Sequence, residues 1–378
     1  MKRIDALDLL RGLIMILMAI DHASFFVGRV HYAENWGVDL IPYDGPEWFL
    51  TRFVSHLCAP GFFLLMGMGM IFFTESRLKA GWSLKKIRNF FLKRGLLLIL
   101  LQFFLEGPAW IVGQITVAEG AMPVHLEPGT GTPGFFIMAV LFSLGMSMII
   151  GALLLNIPTW ALLFITLLGI SVTTFAVTSR VDPHQPISFL ESFFLLPGIS
   201  PYSFCKYPVL PWLGITTAGM ALSRLFLKDV KKAINFSFLI GIGLIIGFVL
   251  LRCFIPLTNF EEPSPSNWID FLTVIKYPAS PAYICLTIGV NLILLKLFTL
   301  IPEGRWQTPL LIFGKTAFFF YILHLYIYML FGLSFPEGSG IGLMYLFWFL
   351  GLVLLFFACR KYLAFKKTKP IESVWRFF

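Results

Sequence analysis

Ten stretches of about 20 mostly apolar residues follow one another along the chain, each long enough to cross the hydrocarbon of a bilayer as an α-helix. They run at roughly 7–27, 51–75, 90–112, 134–155 and 159–178, then at roughly 207–226, 235–256, 279–300, 310–333 and 341–360. The polar segments between them are too short to fold independently, and no Gly/Ser or Pro-rich linker divides the chain. The pattern predicts an all-α, polytopic membrane protein with about ten spans and one domain over residues 1–378, with no internal repeat.

The polar segments alternate in sign. Lys2-Arg3, the stretch from Arg77 to Arg94, the stretch from Arg224 to Lys232 and the tail from Arg360 to Lys369 are basic. The intervening loops collect Glu34, Asp39, Asp44, Glu47, Glu119, Glu127, Asp182, Glu261 and Glu262. Because cytoplasmic loops hold the excess of Lys and Arg, the basic segments and both termini are expected in the cytoplasm. Met1-Lys2-Arg3 before an apolar run looks like a signal peptide, but no small-residue cleavage site follows and the run ends on Asp21-His22, so the first helix is expected to be retained.

Composition agrees: 58% hydrophobic and 13% charged residues, with a mean hydropathy of +0.83, exceed what a soluble core can bury, so lipid is the expected partner for the rest. The net charge of +9 is then a topology signal, and nucleic acid is excluded because the basic stretches are not interleaved with aromatics. Five scattered cysteines without a CxxC pair argue against a disulfide framework, and no metal site is expected.

A charge deep in a bilayer costs at least about 2.5 kcal/mol, so each ionisable residue within a span is a functional suspect. Asp21 and His22 close the first span, His56 opens the second, and Glu106 lies in the third. Arg252 and Lys276 flank the seventh and eighth, and His324 sits in the ninth with Lys315 about two turns before it. Arg11 enters the first span, followed by Gly12, which lets another helix or a ligand approach closely; Asp21 is roughly 15 Å further along. Plainer readings exist. Arg11, Arg252, Lys276 and Lys315 can snorkel or close ion pairs, His324 can be a packing residue, and His31, His125 and His184 belong to outer loops. Asp21, His22 and His56 resist that reading, since a carboxylate with imidazoles at similar depth supplies a base and a partner to orient it.

The run RIDALDLLRGLIMILMAIDH (Arg3 to His22) resembles the opening of the heparan-alpha-glucosaminide N-acetyltransferase catalytic-domain family, especially its bacterial branch. FLTRFVSHLCAPGFFLLMG (Phe49 to Gly67), KYPVLPWLGITTAGMALSR (Lys206 to Arg224), KYPASPAYICLTIG (Lys276 to Gly289) and FGKTAFFFYILHLYIY (Phe313 to Tyr328) resemble further blocks of that family, in order. The resemblance implies acyl transfer across a membrane, from cytosolic acetyl-CoA to a glycan amine or hydroxyl on the other side, in the cytoplasmic membrane of a bacterium. On that reading Lys85, Lys86 and Arg88, helped by Arg11 and Lys315, meet the phosphates of CoA. Glu106, Lys276 and His324 then line the acceptor site or tunnel, and His22 or His56 is the general base with Asp21 as orienting carboxylate. In the lysosomal branch the proposed catalytic histidine follows an asparagine of the first span by about eleven residues. Here Asp21 takes the asparagine's place and Tyr32 the histidine's, with His31 adjacent, so the chemistry is assigned to Asp21, His22 and His56. Acceptor, acyl length, direct transfer against an acyl-histidine, and a homodimer are left open. The rival class is a proton-coupled secondary transporter or flippase, which also uses buried Asp and His and Pro-interrupted spans.

Overall fold

The computed structural model describes residues 4–377 apart from 33, 39, 41, 123–126, 132–135, 181 and 261–266. Lys2, Arg3, Asp39, His125, Glu261 and Glu262 therefore lie outside the described residues. In chain order the elements are α1 (Asp5–Ala23), α2 (Pro46–Ser55), α3 (Cys58–Lys79), α4 (Leu84–Leu101), α5 (Gly107–Ile115), β1 (Phe136–Met138), α6 (Val140–Leu153), α7 (Thr159–Thr178) and α8 (Phe189–Phe194). Then follow β2 (Gly198–Ser200), β3 (Ser203–Cys205), α9 (Val209–Lys228), α10 (Val230–Phe254), α11 (Trp268–Leu272), α12 (Pro281–Leu300), α13 (Gln307–Lys315), α14 (Ala317–Gly332) and α15 (Ile341–Lys367). One π-helical turn, Ser24–Gly28, extends α1, and another, Gln102–Glu106, joins α4 to α5.

Among the described residues, eight helical stretches are long and apolar enough to cross a membrane. The chain is thus an all-α polytopic membrane protein. The other two windows differ from expectation. The one at 134–155 holds only the 14-residue α6, preceded by β1. The one at 310–333 is broken: α13 and α14 meet at 96°. Among the described residues the one sheet has the order β1-β3-β2, β1 parallel and β2 antiparallel to β3, in strands of three residues that tie down the loop ahead of α9.

Burial separates core helices from lipid-facing ones. The apolar windows of α1 and α9 are 72% buried inside the protein, that of α15 only 17%. Phe175 on α7 and Phe254 on α10 expose 72% and 75% of their surface, as expected where hydrocarbon is the solvent. Where no hydrophobic effect drives helices together, small residues let backbones approach and gain dispersion contacts. A Cβ on Gly12 would stand 2.0 Å from the Leu310 carbonyl oxygen, and one on Gly314 2.0 Å from that of Asp8, so α13 runs antiparallel along the first half of α1. This crossing brings Arg11 beside Gly314, whose carbonyl accepts from the guanidinium at 3.2 Å.

The second span breaks where its sequence requires. Pro60 has no N–H for the carbonyl four residues back, that of His56, and the Tyr283 hydroxyl of α12 donates to it at 3.0 Å. The Asn291 amide adds a second donor, at 3.1 Å, to the Leu57 carbonyl, which also accepts from the Gly61 N–H. His56 is thereby held at the corner between α2 and α3. Residues at one end of the bundle are joined across the chain. The Lys276 and Tyr277 amides donate to the Glu34 carbonyl, and Trp36 N–H to that of Tyr277. Arg29, fully buried, donates to the carbonyls of Gly113 and Gly332, near the C-termini of α5 and α14, and to Phe335. A cation is favoured there by the partial negative charge of helix ends. Lys86 with Glu372, Arg88 with Asn156 and Lys296 with Asn235 bind the opposite end. The contacts of Lys315 with Asp5 and of Lys366 with the Lys315 carbonyl bring residues near both termini to that same end.

Candidate functional site

Asp21, His22 and His56 are all buried, but they serve two separate groups. Asp21 is claimed by Arg52 of α2, whose Nη1 donates to Oδ1 at 2.6 Å, and by the Ser55 hydroxyl at 3.2 Å. Arg52 donates through Nε and Nη2 to both oxygens of Glu34, at 2.7 and 2.5 Å. This bidentate, fully desolvated arrangement holds the loop after α1 onto the bundle. His56 stands at its edge, Nε2 3.7 Å from Glu34 Oε1, with Nδ1 buried and without a hydrogen-bond partner among the described residues. Burial pushes Glu34 up, but Arg52 and the other positive neighbours outweigh it and hold the carboxyl down to about 2. Burial drives His31 the other way, down to about 3.

His22 faces α14 instead. Its Nδ1 lies 2.5 Å from His324 Nε2, with ring planes 22° apart and centroids 4.7 Å apart, the nearly coplanar arrangement of an in-plane N–H···N bond. The other nitrogen of His324, Nδ1, meets the carbonyl oxygens of Tyr321 at 2.5 Å and Phe320 at 3.1 Å. Carbonyls only accept, so Nδ1 carries the hydrogen and Nε2 of the neutral ring is the acceptor. His22 must then donate from Nδ1. Its Nε2 is left with a lone pair, which is the form a general base needs.

A cavity of about 640 Å³ opens among α1, α3, α4, α6, α14 and the C-terminal segment, within the range of small-molecule sites. Arg11, Arg94, Lys315 and Lys366 line it together with apolar groups such as Met15 and Leu141. Tyr321, six residues beyond Lys315, belongs to its wall; Asp21, His22 and His56 do not. Glu106 interacts with Tyr321 and with Trp110, and Trp110 packs edge-on against His22 at 5.1 Å between centroids. Along α14 the cavity and the histidine pair are thus one helical turn apart.

Of the other residues singled out from sequence, Arg11 and Lys315 come together at the cavity, whereas Lys85, Lys86 and Arg88 are not part of its lining. Lys86 packs over the Trp82 ring and pairs with Glu372, and Arg88 binds Asn156. Lys276 is buried beside the Arg52 cluster, and Arg252 donates to the carbonyls of Asp270 and Phe271. Four participants were not anticipated individually. Arg52 reads as a span-flanking charge, though its spacing of four from His56 already puts both on one helical face. Glu34 reads as a loop acid, Lys366 as a tail charge and Tyr321 as an aromatic among many. Among the described residues no cluster of His, Cys, Asp and Glu is arranged to hold a metal ion.

Fold and site together define a helical integral-membrane protein with a basic cavity that ends at Tyr321, one helical turn short of a buried imidazole pair. Residues 3–251, well over half of the sequence, match the family described as heparan-alpha-glucosaminide N-acetyltransferase, catalytic, and the chain belongs to that family of transmembrane acetyltransferases. The matched region contains Asp21, His22, Arg52 and His56, while Lys276, Lys315 and His324 lie beyond it. Comparison with curated proteins finds no match.

Proposed function

We propose that the chain takes acetyl-CoA from the cytosol at the basic mouth of the cavity and transfers its acetyl group to an amine or hydroxyl of a glycan-like acceptor presented from the other side of the membrane. The lining suits the donor: Arg11, Arg94, Lys315 and Lys366 offer cations to its phosphates, and Met15, Phe62, Leu98 and Leu141 an apolar track for its arm. Acetyl-CoA supplies a thioester carbonyl open to attack. His22 Nε2 takes the proton from the acceptor as the new bond to the acetyl carbon forms, then gives it to the sulfur as the carbon–sulfur bond breaks. His324 holds His22 in the required tautomer and stabilises the imidazolium through the same hydrogen bond. Tyr321, held by Glu106, closes the cavity on the side of His22, so transfer requires this ring to swing aside.

The observation that carries this reading is the coplanar His22–His324 pair one turn beyond a basic cavity. Purified full-length chain in detergent, given acetyl-CoA and glucosamine, is expected to release CoA thiol. His22→Ala is expected to lower that rate about 10²-fold or more with acetyl-CoA binding retained. Arg94→Gln combined with Lys366→Gln is expected to weaken acetyl-CoA binding about tenfold instead. Unreduced turnover in His22→Ala removes the proposed base.

A further inference from the structure

Where α15 ends at Lys367, Pro370 cannot extend it and the chain turns back along the helix. The Tyr362 hydroxyl donates to the Trp375 carbonyl at 2.5 Å, Trp375 packs against Phe365, and a short helical turn, Val374–Arg376, delivers Phe377 to the cavity. There Phe377 is 6% exposed, edge-on to Phe90 at 5.1 Å between centroids, and the Arg94 guanidinium carbon lies 5.8 Å from its ring centre. Outside the cavity the segment is tied by an ion pair, Lys86 Nζ to Glu372 Oε1 at 2.7 Å, whose side chains are 47% and 59% exposed. A pair so exposed adds little stability, so the tie is a light one.

The cations of the cavity differ in what they already hold. Arg11 donates to Asp8 and to the Gly314 carbonyl, Lys315 faces Asp5, and Lys366 donates to the Lys315 carbonyl. Arg94 makes neither an ion pair nor a hydrogen bond among the described residues; the ring of Phe377 covers it, and the charge beside it is Arg11, of like sign. A guanidinium holds an ionised phosphate through paired N–H donors more strongly than it holds a ring face.

We propose that the segment from Thr368 to Phe377 is a strap across the basic mouth of the cavity, and that Phe377 lifts off Arg94 when a phosphate-bearing ligand seats there. Naming acetyl-CoA as that ligand rests on the acetyltransferase reading, whereas the strap rests on the contacts of Phe377, Arg94, Glu372 and Lys86 alone. Acetyl-CoA and inorganic pyrophosphate are titrated separately into the detergent-solubilised full chain and binding is read by calorimetry. Lys86→Gln and Glu372→Gln break the same ion pair but change the charge at the mouth in opposite directions. Both are expected to tighten the binding of whichever probe binds, by about two- to fivefold, whereas a direct electrostatic role would weaken binding in the first and tighten it in the second. Phe377→Ala, which leaves the charge unchanged, is expected to tighten it about tenfold; the two exposed substitutions carry the test if this variant does not fold. Unchanged affinity or opposite shifts in the two Gln variants, or weaker binding in Phe377→Ala, overturns the inference, as does binding of neither probe by any variant. Tightened pyrophosphate binding without any binding of acetyl-CoA upholds the strap and counts against the acetyltransferase reading instead.

Discussion

A ring nitrogen that meets two carbonyl oxygens must carry a hydrogen, and through His324 this backbone constraint fixes the tautomer of His22. His324 touches no reacting atom in this scheme; it is a positioning residue, and its replacement should separate catalysis from donor binding. His324→Phe is expected to lower kcat about 10² to 10⁴-fold with the KM for acetyl-CoA little changed. His324→Gln, whose amide oxygen can accept from His22 Nδ1, is expected to recover at least tenfold of that loss; equal loss in both variants would reduce His324 to packing. Both histidines could be singled out in the sequence as ionisable groups inside spans, but 302 residues separate them and nothing in one sequence pairs them. Asp21 misleads for a related reason. Neighbours on a helix point about 100° apart, so while His22 faces α14 its neighbour faces α2 and Arg52.

Elements were legible where the apolar window and the helix coincide, and less so where backbone geometry intervenes. Pro60 marks the corner after α2, and the group that compensates it, Tyr283, comes from a distant helix. The turn between α13 and α14 at Thr316 has no proline to announce it, so the window at 310–333 reads as one span although its first part lies along α1. The loop after α1 is another case, since its hold on the bundle passes through the side chains of Arg29, Glu34 and Asn35 and the pairing of residues 34–36 with 276–277. That hold should be sensitive to acid. Glu34 is held down to about 2 from an ordinary 4.5, so its contribution is full above 4.5 and fades as pH falls through 2. His31, lowered by burial from 6.5 to about 3, binds its proton more readily in the unfolded chain, so stability also declines as pH falls from 6.5 towards 3. The Tm of the purified chain is therefore expected to drop across pH 6.5 to 3. His31→Phe should flatten that part of the curve, and a slope unchanged by the substitution would count against the assignment.

At the scale of the whole molecule, what matters is which end faces the cytosol, because the donor and the acceptor are proposed to enter from opposite ends. The contacts of Lys315 with Asp5 and of Lys366 with the Lys315 carbonyl set residues near both termini, the basic loops and the mouth of the cavity at one end. Glu34, Arg52 and Lys276 gather toward the other. Excess Lys and Arg at the first end favours keeping it in the cytoplasm during insertion, where acetyl-CoA is made; the same asymmetry gives the cavity a charge that suits the proposed donor. Four single-cysteine positions test the orientation, all exposed: Lys85 and Lys228 at the basic end, Asp44 and Asp182 at the other. Cys253 is itself exposed and must first be replaced by serine. In intact bacterial cells a membrane-impermeant maleimide is expected to label Asp44→Cys and Asp182→Cys, and to reach Lys85→Cys and Lys228→Cys only after the membrane is opened. The reverse pattern would put the basic mouth outside, away from the acetyl-CoA pool, and the proposed direction of transfer would fail even if His22 and His324 behave as expected.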